Sequence, residues 1–394
     1  MEGSVSTDSS APEIPPINSS LQMRRLLRRV PLEEIPKTSD ILSALQLEQR
    51  LERAEIRIMS LVAVGDIMLG GRSRRVIAGQ GTGYPFEAAA PVLNRGRVVM
   101  GNLEGPFARV ARRQERTFCY RMSPELAKAI ASAGIDVLTL ANNHLMDCGR
   151  AGVLETLSAL EAAGIAALGG GIDNRHAHQP VIRLAGDMRI GMLGYYWNQR
   201  CGAKANEPGC AVDSPEALAE DIGSLRPQVD RVVVTFHWGV PYLRQPSAND
   251  RAKARFAIDC GADVVVGHHP HIIQSFEIYR ERPILYSVGN FTFGSANSRA
   301  EGLMAGFTFE EDAILVRIFP LYVKNRDPRI DYRPAVLCGA SAQRILLNLA
   351  AFSGSSGVRL NIVDSVGKIE CRGNPNTKNV TFHKEGLSRK SSRV

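Results

Sequence analysis

Cysteine is present without a pairing pattern: the chain has seven, an odd number, and no two are spaced C-x-x-C. This excludes a disulfide framework and a structural zinc knuckle, and points to a reducing compartment. No window approaches about eighteen consecutive apolar residues, and the opening Met1-Glu2-Gly3-Ser4 leads into no apolar signal core. The expectation is a soluble, cytoplasmic protein whose membrane contact is at most peripheral. Aromatic residues are scarce, at 6%, and do not interleave with basic ones along a stripe, which argues against nucleic acid as a partner. Charge of neither sign dominates, since 48 Lys and Arg against 40 Asp and Glu leave +8, a general bias toward anionic partners.

What is present is an α/β pattern. With 394 residues and 44% hydrophobic composition, the chain is long enough for one large catalytic domain with tails. We divide it into a leader (1–55), a main domain (56–352) and a C-terminal extension (353–394). Residues 1–20, rich in Ser and Pro, have the composition of a disordered segment. Leu21 to Val30 sets four arginines among apolar residues, a basic helical turn that suits packing on the domain better than lying on an anionic membrane. The range 41–57 has helical periodicity. Ser123-Pro124-Glu125 and Ser214-Pro215-Glu216 read as helix starts, and Gly134, Gly164 and Gly261 as helix stops. The runs 302–309 and 313–319 suggest a hairpin adding a second sheet, 341–352 suits a helix, and 372–394 reads as a basic flexible tail.

Six apolar, strand-like runs are each followed by polar groups. They lead to Gly65-Asp66, Asn102-Leu103-Glu104, Asn142-Asn143-His144, His237-Trp238, His268-His269-Pro270-His271 and Gly289-Asn290. In open α/β sheets the carboxyl ends of strands gather along one edge, so these residues are expected to share a crevice. Each has a duller reading: Asp66 as a turn or cap, Glu104 as a surface residue, Asn142-Asn143 as a left-handed turn, His237 as a hydrogen-bonded core residue. Six dull explanations at once are improbable. Asp66, Glu104, Asn143, His237, His269 and His271 form a mixed oxygen and nitrogen ligand set suited to one or two divalent transition ions, Mn, Zn or Fe. His144 is then available as general acid, with Asp147 orienting its ring or capping the next helix. His176, His178 and His383 lie outside these loops and are expected to be solvated.

The ordered motifs Gly65-Asp66-Ile67-Met68-Leu69-Gly70, Asn102-Leu103-Glu104-Gly105-Pro106, Ala141 to Gly149, Phe236-His237-Trp238-Gly239, His269-Pro270-His271 and Ser287 to Phe291 resemble the signature of CapA-type capsule, or poly-γ-glutamate, biosynthesis proteins. The resemblance spans roughly 56–352. It implies a metallophosphatase-like fold: a four-layer sandwich of two mixed sheets flanked by helices. It matches Asn143-His144 to a ligand and catalytic pair, His237 to a lone ligand and His269 with His271 to a final ligand pair, leaving His268 outside the spacing. Two departures stand out. Met68 occupies a position where the phosphoesterase pattern has a histidine, and Glu104, with Asn102 as its alternative, stands where an aspartate would bridge two ions. The implied function is metal-dependent hydrolysis, through a metal-activated water, of a phosphoester or amide in an anionic, glutamate-like polymer. Arg72, Arg74 and Arg121 are expected to bind its anionic groups, and other capsule or polymer synthesis components are implied as partners. The alternative is a non-catalytic metal- or polymer-binding component of a capsule synthesis or export assembly.

Overall fold

The computed structural model describes residues 35–110, 119–296, 298–354 and 358–372. The basic turn at 21–30, His383 and the tail from 373 onward lie outside the described residues.

The β-branched run before Gly65 forms a strand, Met59–Met68, followed outward by the parallel strands Gly96–Leu103, Val137–Thr139 and Ala166–Leu168. It continues through Asp66 instead of stopping there, because Asp66 stands in register with Asn102 on one side and Asn290 on the other. Gly65 makes that junction possible: a Cβ there would lie 2.0 Å from the Gly289 carbonyl oxygen. The second sheet has Arg231–His237 and Val264–His268 at its centre, with Met188–Tyr196 and Arg282–Leu285 parallel beside them and antiparallel edges at Val181–Ala185 and Phe276–Tyr279.

Strand alternation gives each sheet two apolar faces. Leu61, Ala63, Val98 and Met100 of the first pack against Met192, Val233, Val264 and Val266 of the second. Val62, Val64, Val99 and Leu138 face the helical residues Leu47, Leu51, Ile130 and Val153. On the far side, Leu193, Val232 and Val234 face Leu218, Ile222 and Ala254. At about 1.5–3 kcal/mol for each large apolar side chain buried, these three interfaces provide the principal drive to fold. The result is the expected four-layer sandwich of two mixed sheets between helices.

Details differ from expectation. The hairpin Glu301–Phe309 and Ala313–Tyr322 joins the first sheet, antiparallel to Met59–Met68, and does not found the second. Asn361–Val363 and Val366–Arg372 extend that same sheet, so strands assigned to the C-terminal extension belong to the main body. Leu47 and Leu51, from the helix Ala44–Arg53 of the leader, are buried in the same core. The serine at 214 caps the helix Pro215–Leu225 as its sequence predicts. Ser123 does not do so: its hydroxyl turns to the Glu125 carboxylate, and the helix starts at Leu126. His176 is exposed, but His178 is half-buried with Nδ1 2.8 Å from Asp221 Oδ2.

Candidate metal centre

The parallel strands of both sheets end on the same edge, and there the polar residues meet. Asp66 is fully buried, and its Oδ1 accepts a 2.8 Å hydrogen bond from Asn102 Nδ2. His268 Nδ1 lies 3.3 Å from Oδ1, and His271 Nδ1 lies 3.1 Å from Oδ2. His271 Nδ1 also faces Asn290 Oδ1 at 2.9 Å. Glu104, again fully buried, has its Oε1 3.4 Å from His271 Nε2 and 3.8 Å from His144 Nε2. His237 Nε2 stands 2.7 Å from Asn143 Oδ1, and its ring centre is 4.6 Å from that of His269. Two triads, Asp66 with Glu104 and His237, and Glu104 with His269 and His271, each offer three ligand atoms within 4.8 Å of one another.

Electrostatics sharpens the picture. Burial pushes the Asp66 carboxyl up, but the neighbouring His268 and His271 outweigh it and hold it well below the usual range. Burial drives Glu104 well above that range; His271 opposes this, while the Asp66 and Asp147 carboxylates reinforce it. Burial also lowers His237 well below the normal imidazole value and takes His269 down to about 3, His269 and His271 respectively adding to the effect. His271 goes the other way: burial opposes its charge, but the Glu104 and Asp66 carboxylates lift it to about 9.

Both carboxylate oxygens of Glu104, Oδ2 of Asp66, Nδ1 of His269 and both ring nitrogens of His268 are buried without a partner in hydrogen-bonding geometry, the His268 and His271 contacts to Asp66 being close approaches of charge only. Such groups cost free energy unless something pairs with them, and this orphaned set has the chemistry of ligands for a divalent cation. The backbone adds to the cost, since His269 and His271 hold φ of 96° and 57°, a region side chains other than glycine enter only at a penalty of about 1–3 kcal/mol each. Strain of this kind concentrates at functional sites.

His144 sits at the rim of the cluster. Its Nδ1 is 2.7 Å from Asp147 Oδ2, which also accepts a 2.7 Å hydrogen bond from the Tyr120 amide. The Tyr120 ring lies over the imidazole with centres 4.1 Å apart. Asn142 supports this loop from below, donating to Asn102 Oδ1 at 3.1 Å and to the Leu103 carbonyl at 2.8 Å. Neither Asn142 nor Asn143 has positive φ, so the left-handed turn weighed for them is absent. Asn102 uses both ends of its amide within the protein, a pattern of support for Asp66 rather than ligation. Met68, where the resemblance expects a histidine, turns its sulfur to the Gly70 amide at 3.2 Å.

All the predicted site residues therefore come together: Asp66, Asn102, Glu104, Asn143, His144, Asp147, His237, His269 and His271. Sequence reasoning missed Tyr120, whose segment follows no strand-like run, and left His268 aside although it touches Asp66.

Fold and site together define an α/β sandwich protein with a candidate metal site where the edges of its two sheets adjoin. Residues 60–295 match the bacterial capsule synthesis protein family PGA_cap, and the chain belongs to that family. It is similar to the capsule biosynthesis protein CapA of Bacillus anthracis, 30% identical over 313 residues that cover 75% of this chain and 76% of that one. It is similar as well to the PGA biosynthesis protein CapA of Bacillus subtilis strain 168, 31% identical over 282 residues, covering 70% of this chain and 71% of that one. A protein of Mycobacterium tuberculosis strain H37Rv described as a probable polyglutamine synthesis accessory protein is 32% identical over 200 residues, covering 48% of this chain and 51% of that one. Among the described residues no helix is long and apolar enough to cross a membrane.

Proposed function

We propose that this chain is a metal-dependent hydrolase that acts in making or processing a glutamate-type anionic polymer, alongside other components of that synthesis. The observation that carries the reading is Glu104, a fully buried carboxylate with no hydrogen-bond partner, facing the unpartnered atoms of Asp66 and His269 across one cluster. Asp66, Glu104, Asn143, His237, His269 and His271 would hold one or two divalent transition ions. When bound, such an ion supplies Lewis-acid polarisation of a phosphoryl or carbonyl oxygen. Asn102 and Asn290 keep Asp66 and His271 in place through their side-chain contacts. With Nδ1 of His144 turned to Asp147, its Nε2 faces Glu104 and the cluster, where it can give a proton to a leaving group. Tyr120 covers the other side of that ring and keeps it from turning away.

Met68 favours a second reading, a binding component without turnover, because it withdraws one ligand from the phosphoesterase pattern. The two readings separate in one experiment. The purified chain, loaded with manganese, is offered phosphomonoesters, phosphodiesters and γ-glutamyl peptides beside His144→Ala. Metal-dependent turnover that His144→Ala loses, with metal content unchanged, is the expected result. No turnover on any substrate by a chain that retains its metal favours the binder. If His237→Ala combined with His269→Ala keeps full metal content, the ligand assignment fails.

A further inference from the structure

Beside the metal cluster, and outside it, lies an arginine-lined trough. Its inner part is a cavity of about 510 Å³ bounded by Met68, Tyr120, Arg72, Arg74, Arg121 and Arg326. Its outer part, about 900 Å³, shares Arg72 and Arg74 and adds Arg75, with Asp331 as the acidic side chain on its wall. Met68 is two residues from Asp66 in sequence, and the Tyr120 ring, which lines the inner end, packs on the imidazole of His144, so the inner end lies one side chain away from the candidate catalytic group.

The chain builds this display deliberately. After the strand Met59–Met68 the backbone turns at Gly71, with φ of 59°, and is pinned by the Arg72 amide on the Gly294 carbonyl at 3.0 Å. Ser73 folds its hydroxyl back to the Gly70 carbonyl at 2.7 Å. The helix Ser73–Gln80 then buries Ile77 and leaves Arg72, Arg74 and Arg75 exposed along one wall. Elsewhere arginines find carboxylates: Arg226 meets Asp263 at 2.6 Å and Arg344 meets Glu301 at 2.7 Å. Among the described residues, no such pair is formed by Arg72, Arg74 or Arg75. Arginines that outnumber the carboxylate of Asp331 on the trough's wall repel one another, and the arrangement is relieved by an anionic ligand. Guanidinium forks match carboxylates in two-point contact. Three guanidinium groups lining two contiguous cavities suit a chain that carries repeated carboxylates.

We propose that this trough is the site that receives the anionic polymer, with Arg72, Arg74 and Arg75 holding successive side-chain carboxylates while the strand of polymer enters past Tyr120 toward His144. The assignment rests on the function proposed above and deepens it.

The test is binding of a fluorescent γ-linked glutamate oligomer to the manganese-loaded full chain, read by anisotropy, with metal content and melting temperature recorded in parallel. Arg72→Ala with Arg74→Ala and Arg75→Ala should weaken binding by about tenfold or more and leave metal content unchanged. The corresponding triple lysine variant should fall between it and the wild type, since charge is kept and the fork lost. The exposed Arg175 and Arg189, which line neither cavity, serve as a charge control: Arg175→Ala with Arg189→Ala should stay within about twofold of wild type. If the wild type binds the oligomer and the triple alanine variant binds it equally well, the trough is not the site, and the proposed function stands untouched. If the wild type binds polyphosphate or single-stranded DNA as tightly as the oligomer, the assignment to a carboxylate polymer is overturned. If the metal-loaded wild type binds no glutamate oligomer at all, the functional reading fails and the trough with it.

Discussion

Asp66 and Glu104 are both fully buried carboxylates, yet their surroundings drive them in opposite directions. Asp66 has Asn102, His268 and His271 around it; Glu104 has two oxygens and no hydrogen-bond donor. Glu104 is therefore the residue whose worth depends most on a cation. Glu104→Gln should lower divalent-ion content sharply by elemental analysis, while the stripped variant unfolds at a temperature no lower than the stripped wild type, because a neutral amide is easier to bury than a carboxylate. A stripped variant much less stable than stripped wild type would show that Glu104 has a structural partner. His271, lifted to about 9 by Glu104 and Asp66, carries a proton at neutral pH in the metal-free chain. Ligation by its imidazole must release that proton, so ion affinity should rise with pH up to about 9, by about tenfold per unit for one proton exchanged. Calorimetric titrations at several pH values check this, and a pH-independent affinity would remove His271 from the ligand set. At this scale the sequence was legible wherever a functional group directly follows an apolar run, as at Asp66, Glu104 and His237. It was not legible at Tyr120, which reaches His144 through tertiary packing that no local pattern encodes.

Helix Gly339–Ser353 shows how far an element can depend on distant sequence. Cys338, its own N-cap residue, makes no capping hydrogen bond. Asp40 does so from 301 positions away in sequence, its Oδ2 accepting from the Ser341 amide at 3.1 Å and the Ser341 hydroxyl at 2.6 Å. The negative charge also stands where a helix N-terminus favours it. Asp40→Ala should lower unfolding free energy by about 1 kcal/mol in urea denaturation, and Asp40→Asn should lose less. No change in either would mean that the cap contributes nothing. The helix itself was legible in the stretch 341–352, and so were the glycine stops, which require only the left-handed conformation of Gly134 and Gly164. Element boundaries were less so: at Ser123 a competing carboxylate two residues on took the hydroxyl meant for the cap. The placement of the hairpin was not legible, because alternation fixes which faces are apolar but not which sheet supplies the neighbour.

Across the whole molecule, the decisive fact is that the site takes its groups from both sheets. Asp66, Glu104 and Asn143 follow or lie in strands of the first, and His237, His269 and His271 belong to the ends of strands in the second. Convergence of strand ends could be inferred from sequence, since it follows from parallel pairing alone; the face-to-face docking that brings two such edges together could not, being set by the apolar faces of Leu61, Met100, Val233 and Val266. A cation ligated from both sides acts as a bolt between the layers, in addition to relieving the buried charges within each. Ion at about a hundredfold over its Kd should then stabilise the fold by about 2.7 kcal/mol, a rise of roughly 5 °C in melting temperature that chelation reverses. The bolt makes a specific demand: Asp66→Asn in one sheet and His237→Ala in the other should each abolish the ion-dependent rise, and the double variant should lose no more of it than either alone. Were one variant to keep the full rise, the ion would be held by a single sheet, and the two edges would adjoin for reasons of packing only.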